Sequence, residues 1–98
     1  ISGNTALLYA AQNGFTEIVE LLILAGANVN HKDDYDRNAL HFAANYGYLD
    51  MVKLLVEKGI EIDVKNKNDN TPIDLASMNM EDEIVKFLKT IIDSRKFQ

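Results

Sequence analysis

The sequence predicts an all-α fold: a solenoid of helix-turn-helix units joined by β-hairpin-like finger loops. Three observations lead there. The window 3–35 matches 36–68 at ten identical positions without a gap, and the same register of 33 continues into 69–98. Inside each unit, apolar residues recur at the i, i+3, i+4 spacing of one helix face. Glycines fall between those stripes, where helices end.

The middle unit reads most clearly. Leu40, Ala43 and Ala44 place a narrow apolar stripe on a helix spanning about Ala39 to Tyr46. Two alanines there let a neighbouring helix come close. Gly47 follows as a left-handed helix end. A second helix runs from about Leu49 to Lys58, with Met51, Leu54 and Leu55 as its stripe and Val52 and Val56 widening it. Asp50 lies in its first turn, where the helix dipole favours an anion, and Gly59 closes it. Sliding by 33 carries this reading to the first unit through Leu7, Ala10, Gly14, Val19, Leu22 and Gly26. In the third unit Thr71 is a candidate N-cap and Pro72 suits the first helical position. After Gly26 and Gly59 come "ANVNHKDDYD" and "IEIDVKN", rich in Asn and Asp. Structureless loops of that length are uncommon, so hairpin-like fingers are expected. The expected layout is a single domain over 1–98, with units at about 3–35, 36–68 and 69–98.

Bulk composition narrows the function. The chain has 98 residues, 47% of them hydrophobic and 26% charged, which suits one folded domain rather than a disordered segment. There is no cysteine, hence no disulfide framework and no thiolate zinc site. No apolar run reaches membrane-spanning length, so membrane insertion is not expected. Net charge is −5, and the Lys and Arg residues are scattered rather than clustered. Phosphate-backbone binding needs clustered cations, so nucleic acid is not the expected partner. The chain starts at Ile1 rather than Met, just ahead of a repeat, and is expected to be a piece of a longer protein.

These residues resemble ankyrin repeats. The segments "SGNTALLYAAQNGFTEIVELLILAGANVN" and "DDYDRNALHFAANYGYLDMVKLLVEKGIEID" follow the family pattern closely, and the resemblance covers all but the last few residues. Departures are informative. Asp36 and Asp69 stand at the finger position that is glycine only at Gly3, and Asp tolerates positive φ better than most residues. Asn38 and Ala39 replace Thr-Pro, and Leu8 and Asp74 stand where His41 keeps the family histidine. The third unit has Ser77 for the second alanine, Met80 for the first glycine and Ile92 for the last. It resembles a C-terminal cap whose second helix runs on through "FLKTIIDSRK".

Catalysis has little to stand on. His41 reads as a structural histidine bonding nearby backbone, and His31 as a solvated loop residue. Asp33 and Asp34 read as exposed turn carboxylates. Two histidines without cysteine make a poor zinc set. There is no GxxxxGK, no GxGxxG and no Ser-His-Asp grouping. No enzymatic activity, metal or cofactor is expected.

Surfaces offer more. Phe42, Asn45 and Tyr46 share a face of the first middle-unit helix, matched by Tyr9, Gln12 and Asn13 before it and by Leu75, Met78 and Asn79 after it. The ankyrin resemblance implies that this stripe lines a concave side and that a partner protein binds there and at the finger tips. The tip positions are then Asn4 in the first unit, Lys32, Asp34, Tyr35 and Arg37 in the second, and Lys65, Lys67, Asn68 and Asn70 in the third. Tyr35 and Tyr46 stand out, because Asn68 and the pair Asn13 and Asn79 occupy the matching positions. Tyrosine supplies a large rigid ring and a hydroxyl, which interface hot spots favour. Asn30 follows Leu22 by eight residues, a spacing that resembles the substrates of asparagine hydroxylases.

The expected function is protein–protein interaction in an intracellular setting, cytoplasmic or nuclear, by a monomer. Two alternatives are a structural spacer or self-associating segment of a longer array, and an appendage of an enzyme whose active domain lies outside this sequence. The apolar "LLIL" at 21–24 favours end-to-end association, since Leu24 replaces the charged Glu57 of the next unit.

Overall fold

The computed structural model describes residues 3–96. The ends of the expected 1–98 span, residues 1–2 and 97–98, lie outside the described residues. Six helices form three successive pairs: α1 (Gly3–Gln12) with α2 (Thr16–Leu24), α3 (Ala39–Tyr46) with α4 (Leu49–Glu57), and α5 (Pro72–Met78) with α6 (Asp82–Arg95). The expected middle-unit helices are present to within a residue, with Lys58 as the C-cap of α4.

Each pair turns through the same hinge. Phe15 N–H donates to the Ala10 carbonyl, Tyr48 N–H to Ala43 and Glu81 N–H to Ala76, each at 2.9 Å. The residue before each donor is left-handed: Gly14 at φ 76°, Gly47 at 81° and Met80 at 58°. This bond reaches back over the last turn of the first helix and satisfies a carbonyl that would otherwise be an orphan. α3 and α5 begin on reciprocal caps. The Asn38 side chain accepts from His41 N–H while His41 Nδ1 accepts from Asn38 N–H, and Thr71 and Asp74 repeat the exchange. Pro72 occupies the first turn of α5, as expected.

The helices form two layers. α3 packs between α1 and α5, while α2, α4 and α6 lie outside them. Every residue from Ala39 to Ala44 is buried. Ala10, Ala11, Ala43, Ala44 and Ala76 leave room for the inner helices to approach, and Leu7, Leu40, Met51, Leu55, Ile84 and Leu88 fill the space between layers. α6 reaches Arg95, five residues past the position that matches Glu57, where α4 ends, and Ile91 and Ile92 in that extension pack against the core.

The fingers are hairpin-like, as expected: no strand occurs among the described residues, and each finger is a hairpin turn with a single bonded rung below it. In the first, Asp36 N–H donates to the Asp33 carbonyl and Asp33 N–H to the Arg37 carbonyl. In the second, Asn66, Asp69 and Asn70 repeat both bonds. Asp36 at φ 59° and Asp69 at 66° take the left-handed position, as their alignment with glycine required. One feature differs from expectation: α1 starts at Gly3 rather than near Ala6. Gly3 and Asn4 are therefore helical and form no finger tip. In the later fingers Lys67 N–H donates to the Tyr35 carbonyl, holding one turn against the other. Asn4 instead accepts from Asn28 N–H within its own unit.

Candidate functional site: the concave flank and its finger tip

The first finger builds the site's anchor. Asp33 opens the turn, and its Oδ1 accepts from Tyr35 N–H at 2.9 Å and Arg37 N–H at 3.0 Å. Its Oδ2 accepts from Arg37 Nε at 2.9 Å and lies 2.8 Å from Nη2. Burial pushes the Asp33 carboxyl upward, but the bonds from Arg37 and Tyr35 and the guanidinium charge outweigh it and hold the group below its ordinary value. Arg37 is thereby fixed over two rings. Its guanidinium carbon lies 5.0 Å from the Tyr35 centroid and 4.8 Å from that of Phe42. An arginine held by a carboxylate and stacked on aromatic faces loses little freedom when it meets a partner.

The second finger uses the same device without charge. Asn66 Oδ1 accepts from Asn68 N–H and Asn70 N–H at 2.9 and 3.0 Å. The Lys65–Asp69 pair at 3.7 Å is exposed on both sides and contributes little.

Between the fingers and the inner helices lies a concavity of about 190 Å³, lined by Arg37, Phe42, Asn45, Tyr46, Asn68 and Leu75, with Asn66 and an edge of His41. Asn45 Oδ1 accepts from Asn79 Nδ2 at 2.9 Å, and that amide also donates to the Leu75 carbonyl. The Tyr46 ring lies 5.9 Å from that of Tyr48, tilted by 39°. Tyr48 is itself braced: its hydroxyl donates to the Gln12 carbonyl at 3.3 Å, and its ring covers Gly14 so closely that a Cβ there would lie 3.0 Å from it.

The structure therefore gathers Arg37, Asn45, Tyr46 and Asn68 around one hollow, with Tyr35 stacked at its rim. Phe42 is only 6% exposed beneath the Arg37 guanidinium, so it forms the floor of the hollow and supports the arginine rather than projecting from the surface. Asn70 is also committed to structure: its N–H bonds Asn66 and its carbonyl receives His41 Nε2 at 3.2 Å. Lys32, Asp34 and Lys67 are exposed on the fingers outside the hollow. Gln12 and Asn13 are exposed a unit away, and Asn13 Nδ2 donates to the Tyr9 carbonyl. Met78 is exposed beyond the hollow, and Asn79 is tied to Asn45. Asn30 braces its loop: its Oδ1 accepts from Glu61 N–H at 2.8 Å, linking two units.

The sequence reading missed Asp33 and Asn66. The signal was available: an Asx residue at the first position of a turn whose fourth residue must be left-handed. His41, expected to be structural, is so. It is 1% exposed, and Nδ1 accepting from Asn38 leaves Nε2 as the protonated nitrogen that donates to Asn70. Among the described residues no three His, Cys, Asp or Glu side chains converge as metal ligands, and no helix is long and apolar enough to cross a membrane.

The family model for ankyrin repeats in three copies matches residues 7–96. No curated protein matches the chain.

Proposed function

Because this chain belongs to the ankyrin repeat family, we propose that it binds a partner protein through the hollow between Arg37, Asn45, Tyr46 and Asn68, with Tyr35 and the outward residues of both fingers at the rim. Ankyrin repeats are generally protein–protein interaction modules and typically non-catalytic. The observation that supports this site over the rest of the surface is the Tyr35–Arg37–Phe42 stack, fixed by Asp33 beside the exposed ring of Tyr46. Fixed aromatic and arginine side chains are what hot spots are built from.

The hollow takes one partner side chain. Phe42 and Leu75 give it an apolar floor, while Asn45 and Asn68 offer amides at its edge. The surrounding face, including Gln12, Asn13, Met78 and Asn79, would complete an interface of roughly 800 Å² per partner. Binding is rigid-body, since the side chains at its centre are already held. The setting is intracellular. Asn30 acts as a modification substrate only if its bond to Glu61 opens.

The test is capture from matched lysate, comparing the parent with the Tyr35→Ala/Tyr46→Ala double variant. Both rings are exposed, so helical circular dichroism and the melting midpoint are expected to stay within about 2–3 °C of the parent, as for surface changes worth about 0.5 kcal/mol. Capture of the parent's specific partner is expected to fall at least tenfold. Parallel loss of fold and capture, or unchanged capture, overturns the reading.

A further inference from the structure

The hollow is one-sided in its hydrogen-bonding groups. The chain carries 15 acidic residues against 10 lysines and arginines, yet among the described residues no carboxylate lines the hollow and one guanidinium does. Asp33, the acid bonded to Arg37, has both oxygens committed: Oδ1 to two backbone N–H groups and Oδ2 to Arg37. Arg37 gives Asp33 its Nε–H and one N–H of Nη2, so its other N–H groups stay open to a ligand.

Two asparagines are turned the same way by their neighbours. The Leu75 carbonyl can only accept, so Asn79 must present Nδ2 to it, and Asn45 must meet that same Nδ2 with its Oδ1. Asn45 is left with Nδ2 as its open end. Asn66 is fixed likewise: the N–H groups of Asn68 and Asn70 both donate to its Oδ1, which leaves Nδ2 open. Among the described residues no buried side-chain nitrogen or oxygen lacks a partner, so both open ends reach solvent. The Asn68 amide and the Tyr46 hydroxyl can each donate or accept and set no preference.

The fingers differ where this matters. Asp33 and Asn66 make the same pair of backbone bonds. Arg37 answers the charge of Asp33, but the matching position in the second finger is Asn70. A carboxylate at 66 would stand against the hollow without a cation beside it. Asparagine keeps the turn and offers N–H instead.

We propose that the partner side chain seated in the hollow is the carboxylate of an Asp or Glu. This rests on the hollow being the binding centre. The carboxylate oxygens would accept from the open N–H groups of Arg37 and from Nδ2 of Asn45 and Asn66, with the methylene stem on Phe42 and Leu75. Bonds to an ionised acceptor are the strong class. A Lys or Arg would find no carboxylate to meet and would lie beside Arg37, a like charge. A Gln or Asn could use its oxygen, but its own NH₂ would face further donors.

A displayed library of short linear peptides, panned on the folded chain, tests this. Hollow-dependent clones are those lost on the Tyr35→Ala/Tyr46→Ala double variant. They are expected to share an Asp or Glu whose exchange for Asn or Gln weakens binding at least about tenfold. Asn66→Asp and Asn45→Asp should each weaken the same clones at least about tenfold. Both variants keep their Oδ1 bonds, and Asp33 already supports the same turn as an aspartate, so the melting midpoint should stay within about 2–3 °C of the parent. Hollow-dependent clones that need no carboxylate, or that bind both aspartate variants as well as the parent, overturn the carboxylate and leave the hollow as a site. A library whose enriched clones all survive the tyrosine double variant overturns the hollow itself, and this proposal with it.

Discussion

His41 shows how much a single ring can hold. Its Nδ1 accepts from the N–H that starts α3, and its Nε2–H reaches the carbonyl of Asn70 in the next finger. The first of these needs the neutral imidazole, since a protonated Nδ1 cannot accept. Burial lowers its pKa; the carbonyls of Asn70 and Val64 and the Asp33 carboxylate pull upward, Arg37 pulls down, and burial prevails. The folded chain thus binds this proton more weakly than the unfolded chain does. Stability is complete above the ordinary histidine value of about 6.5 and is lost as pH falls through it towards the folded value. The melting midpoint should therefore drop between pH 7.5 and 5.5, and His41→Gln should flatten that slope while lowering the midpoint overall. A parent midpoint independent of pH over this range contradicts the assignment. Asp33 acts in a separate window. Its depressed carboxyl contributes stability above the ordinary value of about 3.9, lost as pH falls below it. Asp33→Ala should cost about 1–2 kcal/mol in urea unfolding, through two released backbone donors and a freed Arg37. Some of this is legible in the sequence. Left-handed Asp36 and Asp69 follow from their alignment with the family's finger glycine, and His41 from the family position that it keeps. Asp33 was not legible, because two adjacent aspartates look like solvated charge until the turn gives one of them donors. The burial of Phe42 was hidden for a related reason: the side chain that covers it comes from the finger, not from its own helix.

At the scale of elements, glycine positions separate backbone strain from packing. Gly14 and Gly59 have similar left-handed φ, 76° and 86°, but nothing lies near Gly59 while Tyr48 presses on Gly14. Alanine at either costs about 1 kcal/mol of backbone strain. Gly14→Ala should cost more than Gly59→Ala, and Tyr48→Leu should shrink the difference. Equal costs would mean that Tyr48 contributes no packing between the units. Gly47 is a milder case, since the neighbour there is the mobile carboxylate end of Glu81. The middle helices were readable to within a residue because periodicity, caps and glycines all agreed. The start of α1 was not, because local signals alone leave Gly3–Thr5 undecided. In the third unit the preceding finger touches the turn, where Lys67 N–H donates to the Tyr35 carbonyl. Pattern fixes what an element buries; its first turn depends on what lies beside it.

The whole molecule is a short one-dimensional array, in which each pair leans only on its neighbours. α3 is its keystone, touching both α1 and α5. Leu40→Ala removes side-chain contacts at a fully buried site and should cost about 2–5 kcal/mol. An array this short should still melt in one step, and a split transition in the parent would contradict the tight coupling between pairs. The repeat made this architecture legible, including the extended last helix. The hollow was legible only as a stripe of residues; its floor, rim and anchor come from a finger folding over a helix, which no period of 33 encodes. The most direct measurement is oxidative footprinting of the four tyrosines, free and bound to the captured partner. Tyr35 and Tyr46 should become protected together. Unchanged reactivity of both in the complex would place recognition elsewhere and contradict the hollow as its centre.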